Sequence, residues 1–212
     1  MSVPNVSSLM TGRVVPVVVI DDAANAPALG AALLRGGINC AEITLRTPAA
    51  LDAIRAMAAN PAMLVGAGTV VRADQVDAVA QAGAKFVVSP GLSAAVVKRC
   101  QDLGLAVVPG VVTATEVMQA LDLGLTELKF FPASTSGGSE AVKALGGPFA
   151  NVSFIPTGGI GAENAHEYLS LANVVAVGGS WLTPKSLQDA GDFDAIAELT
   201  TAAVAATTGA HS

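Results

Sequence analysis

Charge is scarce in this chain. Of its 212 residues, 13% are Asp, Glu, Lys or Arg, and the formal net charge is −6. Eleven Lys and Arg against seventeen Asp and Glu leave no basic footprint for nucleic acid, so that partner class is excluded. Any phosphate must be held locally, by backbone N–H groups or one or two basic side chains. There are two His and two Cys, and neither Cys40 nor Cys100 stands in a CxxC pattern. No zinc-ligand set is in view and no metal is expected. Both thiols read as reduced structural residues of a cytoplasmic protein. Long apolar runs are missing too. The most apolar stretch, 14–20, is far too short to span a bilayer, so no membrane association is expected. The first 13 residues lack a basic region followed by an apolar run, so no signal peptide is expected. HExxH, GxSxG and Walker patterns are absent as well.

What is present is core-forming material. Hydrophobic residues make up 52% of the chain and Gly accounts for 22 positions. That suits one compact α/β domain over residues 1–212, with many tight turns. The order is a repeated rhythm of a β-branched run, a turn, an Ala/Leu-rich stretch at helical spacing, and glycine. Strands are predicted at 14–20, 40–44, 63–67, 84–88, 105–109, 127–131, 152–156 and 174–178. Helices are predicted at 25–36, 48–59, 72–82, 93–103, 114–123, 138–146, 163–171 and 191–206, the last fraying after Thr200. Gly36-Gly37, Gly83, Gly104 and Gly124 fit left-handed helix ends, and Thr47-Pro48 and Ser93 fit helix starts. Gly137-Gly138 and Gly146-Gly147 fit helix boundaries.

Eight strand–helix alternations imply a parallel sheet, and eight strands close a (β/α)8 TIM barrel. An open doubly wound sheet is the alternative, but no strand is followed by GxGxxG. In a barrel, chemistry sits at the C-terminal ends of the strands.

The sixth strand ends Leu128-Lys129-Phe130-Phe131. A lysine on a parallel strand covered on both faces cannot easily reach water. Burial disfavours the ammonium, and a neutral amine is what Schiff-base chemistry needs. The plainer reading pairs Lys129 with a carboxylate, such as Glu127 two residues earlier on the same face. The second strand runs Glu42-Ile43-Thr44-Leu45-Arg46. Alternation puts Glu42, Thr44 and Arg46 on one face, toward the interior. Glu42 suits proton transfer, and Arg46 suits a substrate carboxylate through its planar fork. A Glu42–Arg46 salt bridge without chemistry is the other reading. Strands two and six face each other across an eight-stranded barrel, so Glu42 and Lys129 point toward a common centre.

Weaker signals stand at other strand ends. Gly66-Ala67-Gly68-Thr69 admits a close approach to the backbone and ends on a hydroxyl. Ser89-Pro90-Gly91 is a tight rim turn. Gly158-Gly159 and Gly178-Gly179-Ser180 follow strands seven and eight, where barrels often bind phosphate; two ligand-free turns are the alternative. His166 and His211 read as non-catalytic, and Trp181 as packing.

The stretches VVPVVVI, EITLRT, VGAGTV, VSPGL, LKFFPA, PTGGI and GGSWL, in this order from 14 to 182, resemble the bacterial 2-keto-3-deoxy-6-phosphogluconate (KDPG) aldolase family. Enzymes of that family often also act on 4-hydroxy-2-oxoglutarate (KHG). The resemblance implies a homotrimer of (β/α)8 barrels, no metal or other cofactor, and a phosphorylated keto acid as the small-molecule partner. It implies Lys129 as the Schiff-base lysine and Glu42 as the proton-transfer group. It implies Arg46, Thr69 and Pro90 at the pyruvate end, and Gly158, Gly159, Gly179 and Ser180 at the phosphate end. A sister family for the galactonate epimer tends to show Asn where Arg46 stands, so EITLRT favours the gluconate enzyme. Other phosphate-binding barrels, epimerases or synthases, would share the glycine loops but need no such lysine. The segment Ser134-Thr135-Ser136-Gly137-Gly138 is a departure in a stretch that varies in charge within the family, which bears on substrate breadth. Arg13 is a weaker candidate for the phosphate.

Overall fold

A computed structural model of the protein describes residues 5–208. It has eight parallel strands: β1 (Val14–Val18), β2 (Cys40–Thr44), β3 (Leu64–Gly68), β4 (Phe86–Ser89), β5 (Ala106–Val111), β6 (Glu127–Phe130), β7 (Ser153–Pro156) and β8 (Val177–Gly179). Their order is β7-β6-β5-β4-β3-β2-β1-β8. Two bridges, Phe154↔Val174 and Thr157↔Gly178, join β7 to the β8 segment and close the barrel. The helices are α1 (Ala26–Arg35), α2 (Ala50–Ala58), α3 (Ala73–Gln81), α4 (Ala94–Asp102), α5 (Ala114–Asp122), α6 (Gly138–Gly146), α7 (Ala165–Leu169), α8 (Lys185–Ala190) and α9 (Phe193–Thr208). No helix among the described residues is long and apolar enough to cross a membrane.

The alternation predicted for β2 decides which residues meet the helices. Ile43 is fully buried, in one apolar cluster with Leu29 and Leu33 of α1 and Ile54 and Met57 of α2. Burying each such side chain contributes about 1.5–3 kcal/mol. Glu42 and Thr44, on the other face, are buried polar residues. The Thr44 hydroxyl donates to the Val18 carbonyl at 2.9 Å.

Glycines end the helices as expected. Gly37, Gly83, Gly104 and Gly124 have φ of +94°, +101°, +68° and +77°, the left-handed region that favours glycine. Gly36 serves another purpose: a Cβ there would collide with Thr200, so it lets α9 lie close against α1.

Helix starts divide. Ser93 caps α4, its Oγ accepting the Val96 N–H at 3.4 Å. Thr47 does not cap α2, which begins at Ala50, because its hydroxyl is spent on the Ile20 carbonyl. A cap that pattern reading passed over is Thr113–Glu116. Glu116 Oε2 accepts the Val112 and Thr113 N–H groups at 2.8 Å each, and Thr113 Oγ1 accepts Glu116 N–H at 3.3 Å.

Two further differences lie near the C-terminus. The eighth strand is shifted to Val177–Gly179, because Val174 bridges to Phe154 of β7 while Val177 is the first residue paired with β1. The six-residue α8 was not predicted. It lies between Pro184 and Gly191, too short to show a helical period. The last helix continues through Thr208, and His211 lies outside the described residues.

Candidate active site

Lys129 and Glu42 meet inside the barrel. Lys129 pairs in register with Gly110 on one side and Ile155 on the other. Glu42 pairs with Val17 and Gly66. From these opposite strands Nζ and Oε1 approach to 3.3 Å. The residues are 6% and 3% exposed. A buried charge demands a partner, and here each supplies the other's. Nζ also lies 5.1 Å from the centroid of the Phe131 ring, within cation–π range. Neither plainer pairing occurs. Glu127 accepts backbone N–H groups instead of the lysine, and Arg46 bonds to Thr69 instead of Glu42.

The space around the pair is small. Glu42, Lys129 and Thr157 line a cavity of about 10 Å³ with Val6, Phe86 and Val108 among its walls. That is roughly the room of a single water. Thr157 is 6% exposed, and its hydroxyl donates only a long 3.4 Å bond, to the Ile155 carbonyl. Sequence reading valued PTGGI for its glycines and missed this threonine. Alternation from Ile155 would have placed it on the inner face.

The glycines of β3 have a different purpose from the one expected. A Cβ on Gly66 would collide with the Phe86 ring, and one on Gly68 with the Glu42 carboxylate. The bare strand face holds Glu42 and Phe86 rather than opening the backbone to a ligand.

At the rim, Arg46 is exposed and its Nε donates to Thr69 Oγ1 at 3.3 Å. Thr69 has φ +59°, the one non-glycine in the left-handed region among the described residues. Such backbone costs on the order of 1–3 kcal/mol and clusters at functional sites. Pro90 is exposed on the next rim turn, which Ser89 braces by donating to the Gly91 carbonyl at 2.8 Å. Arg46, Thr69 and Pro90 therefore stand at the ends of three neighbouring strands.

Gly158 and Gly159 follow β7 with φ of +100° and +70°. The loop after β6 docks on them: Ser134 N–H donates to the Gly158 carbonyl at 3.0 Å, and a Cβ on Gly159 would collide with the Ser134 side chain. A Cβ on Gly179 would likewise meet the Trp181 ring, so Trp181 packs against that glycine. Ser180 is exposed beside them. Among the described residues, the N–H of Gly159 and the N–H and hydroxyl of Ser180 have no protein acceptor. Free donors at the ends of strands seven and eight are what a phosphate needs.

Arg13 is a correction. It precedes β1 and donates to the carbonyls of Val174 and Val175 at 2.7 and 3.2 Å, at the opposite end of the barrel from these loops. The thiols of Cys40 and Cys100 are buried, and burial pushes both up to about 12.

A family model described as KDPG and KHG aldolase matches residues 6–199. The 2-dehydro-3-deoxy-phosphogluconate aldolase of Pseudoalteromonas atlantica is 49% identical over 199 residues, 93% of this chain and 93% of that one. The KDPG aldolase of Zymomonas mobilis, solved with 3-phosphoglycerate, superposes with a TM-score of 0.89 at 43% identity, covering 95% of each chain. That of Legionella pneumophila, solved with pyruvate captured at low pH as a covalent carbinolamine, superposes with a TM-score of 0.88 at 41% identity, covering 91% of this chain and 94% of that one. Closed barrel, buried lysine–glutamate pair and family match agree, and the chain belongs to the KDPG and KHG aldolase family.

Proposed function

We propose that the protein is a class I aldolase that cleaves 2-keto-3-deoxy-6-phosphogluconate to pyruvate and glyceraldehyde 3-phosphate, with Lys129 as nucleophile. The observation that carries this reading is the buried 3.3 Å contact between Lys129 and Glu42.

The pair contains one transferable proton. Passing it to Glu42 leaves a neutral amine, which attacks the C2 ketone. The carbinolamine hydroxyl takes a proton from Glu42 and leaves as water, giving a protonated imine. That iminium is an electron sink. Glu42 removes the C4 hydroxyl proton, the C3–C4 electrons flow toward nitrogen, and glyceraldehyde 3-phosphate departs. Protonation of the enamine at C3 and hydrolysis of the imine release pyruvate and restore Lys129. Each transfer runs between groups already at hydrogen-bond reach, directly or through one water, as general acid–base catalysis requires.

Arg46, with Thr69 and Pro90, binds the carboxylate end of the substrate. The support is an exposed guanidinium braced by Thr69, which leaves its outer N–H groups for a ligand. Gly158, Gly159, Gly179 and Ser180 bind the phosphate, supported by the free donors after β7 and β8. KHG, which has no phosphate, is a second substrate of the same lysine. We take the enzyme to be a homotrimer working in the cytoplasm. Supporting this are exposed apolar side chains such as Met118, at 59%, and a pair of cysteines that are thiols.

The test is pyruvate release from KDPG, and separately from KHG, measured with a coupled reductase, alongside light scattering for the assembly. Pyruvate from KDPG supports the reading. Phosphosugar binding without cleavage would move the protein to a non-covalent phosphate barrel.

A further inference from the structure

A second carboxylate lies inside the barrel, and the reaction has no use for it. Glu127 opens β6 two residues before Lys129, so both side chains leave the same face of the strand. It is 3% exposed. Its partners are backbone groups from the far end of the chain. Oε1 accepts the Val6 N–H at 2.7 Å and the Ser7 N–H at 3.2 Å, and Oε2 accepts the Ser7 N–H at 3.3 Å. These donors open a 3-10 turn, Val6–Ser8, whose first N–H groups have no partner within the turn.

The turn that Glu127 holds reaches the site. Val6 is 2% exposed, and its side chain lines the cavity that contains Glu42 and Lys129. We propose that Glu127 and Val6 are positioning residues for the reaction: the carboxylate latches the 3-10 turn across the mouth opposite the substrate rim, and Val6 seals the floor beneath the Lys129–Glu42 pair against water. The inference rests on the reading of Lys129 as nucleophile.

The seal matters because water stabilises an ammonium. One carboxylate touches the amine, Glu42 from β2, and a second, Glu127, shares the strand face of Lys129 but is bonded to Val6 and Ser7. The remaining walls, Val15 from β1, Phe86 and Val88 from β4, Val108 from β5, and Ile155 and Thr157 from β7, carry no titratable group. Opening the floor therefore changes one thing around Lys129, its hydration. A hydrated ammonium releases its proton less readily, so the acidic limb of the rate profile moves to higher pH. Removing the charge of Glu127 alone would do the reverse, since a lost negative charge favours the neutral amine. Val6→Ala separates the two effects, because it opens the floor and leaves Glu127 charged.

The experiment is the pH profile of kcat and kcat/KM for KDPG cleavage in the full chain, for wild type, Val6→Ala and Glu127→Leu. Each protein is also trapped with pyruvate and borohydride. In Val6→Ala, kcat at neutral pH falls roughly 10-fold, inside the ~10²-fold that a misplacement remote from the chemistry can cost. KM changes little, pyruvate is still trapped on Lys129, and the acidic limb lies at higher pH. Glu127→Leu, which removes the acceptor as well as the charge, moves the limb the same way despite its lost charge. If Val6→Ala fails to fold, the near-isosteric Val6→Thr makes the floor polar at constant volume, and the same shift is expected. An unmoved limb with wild-type kcat in a folded Val6 variant overturns the inference and leaves the nucleophile standing. So does a limb moved to lower pH in Glu127→Leu, which would make Glu127 a charge and not a latch. Wild-type protein that traps nothing removes the nucleophile reading, and the inference with it.

Discussion

The carboxylate of Glu42 occupies the space that a side chain at Gly68 would fill. A Cβ at Gly68 would lie 2.7 Å from Glu42 Cγ and 2.8 Å from its Cδ, and nearer still to Oε1. Glu42 therefore reaches Lys129 across a strand that has no side chain there to obstruct it. Gly68→Ala should push the carboxylate away from the amine and cost turnover, on the order of 10²-fold for a displacement near 1 Å. Gly66→Ala meets the Phe86 ring instead. It should act chiefly on stability, losing about 1–3 kcal/mol through overpacking. Steady-state rates and urea unfolding of the two variants separate these effects. Equal losses of rate with no loss of stability would contradict the assignment.

Glu42 is asked to move every proton in the cycle. Glu42→Gln keeps the size of the side chain and removes its capacity to accept and release a proton, so kcat should fall by about 10²–10⁴. A decrease of less than a few-fold would mean that another base serves the reaction. Lys129→Ala should abolish the covalent route, and wild-type turnover in that variant would refute it.

The two ends of the substrate should respond to different substitutions. Arg46→Ala removes charge-assisted bonds worth about 1.5–3 kcal/mol and should lower kcat/KM for KDPG and KHG alike, by roughly 10- to 10²-fold. Ser180→Ala should weaken KDPG and spare KHG, which carries no phosphate. An equal effect of Ser180→Ala on both substrates would detach Ser180 from the phosphate end.

Much of this was legible in the residues. Eight apolar runs separated by glycine-ended helices give a barrel, and alternation alone turns Glu42 inward and Ile43 outward. Counting strands then sets Glu42 opposite Lys129, as the 3.3 Å contact has it. Alternation gives a face but not a height. It puts Glu127 and Lys129 inside together without saying that Glu127 serves the lower mouth, because its partners belong to Val6 and Ser7, 120 residues away or more. Gly66 and Gly68 misled for a related reason. A glycine announces a close approach, but whether a ligand or a neighbouring side chain makes it depends on packing between strands. The Thr113-x-x-Glu116 capping box was there to be read, whereas the six residues of α8 carry too little period to be seen.

The thiols give a pH prediction. Burial holds Cys40 and Cys100 up to about 12 in the folded chain, against an ordinary 9.0. A thiol-specific reagent at pH 8 should leave both untouched in native protein and label two per chain after denaturation. The sign for stability follows. Below pH 9 both states keep the protons and the thiols contribute nothing to the pH dependence. Above it the unfolded chain releases them while the native chain does not, so stability should fall as pH rises. Fast labelling of native protein at pH 8 would contradict the burial.

The most direct test is chemical capture of the imine. Folded protein is mixed with pyruvate, reduced with borohydride, digested, and the modified peptide mapped by mass spectrometry. The account predicts a stable adduct on Lys129 that is lost in Lys129→Ala. An unmodified Lys129 in protein shown to be folded, or an adduct on another lysine, would contradict it.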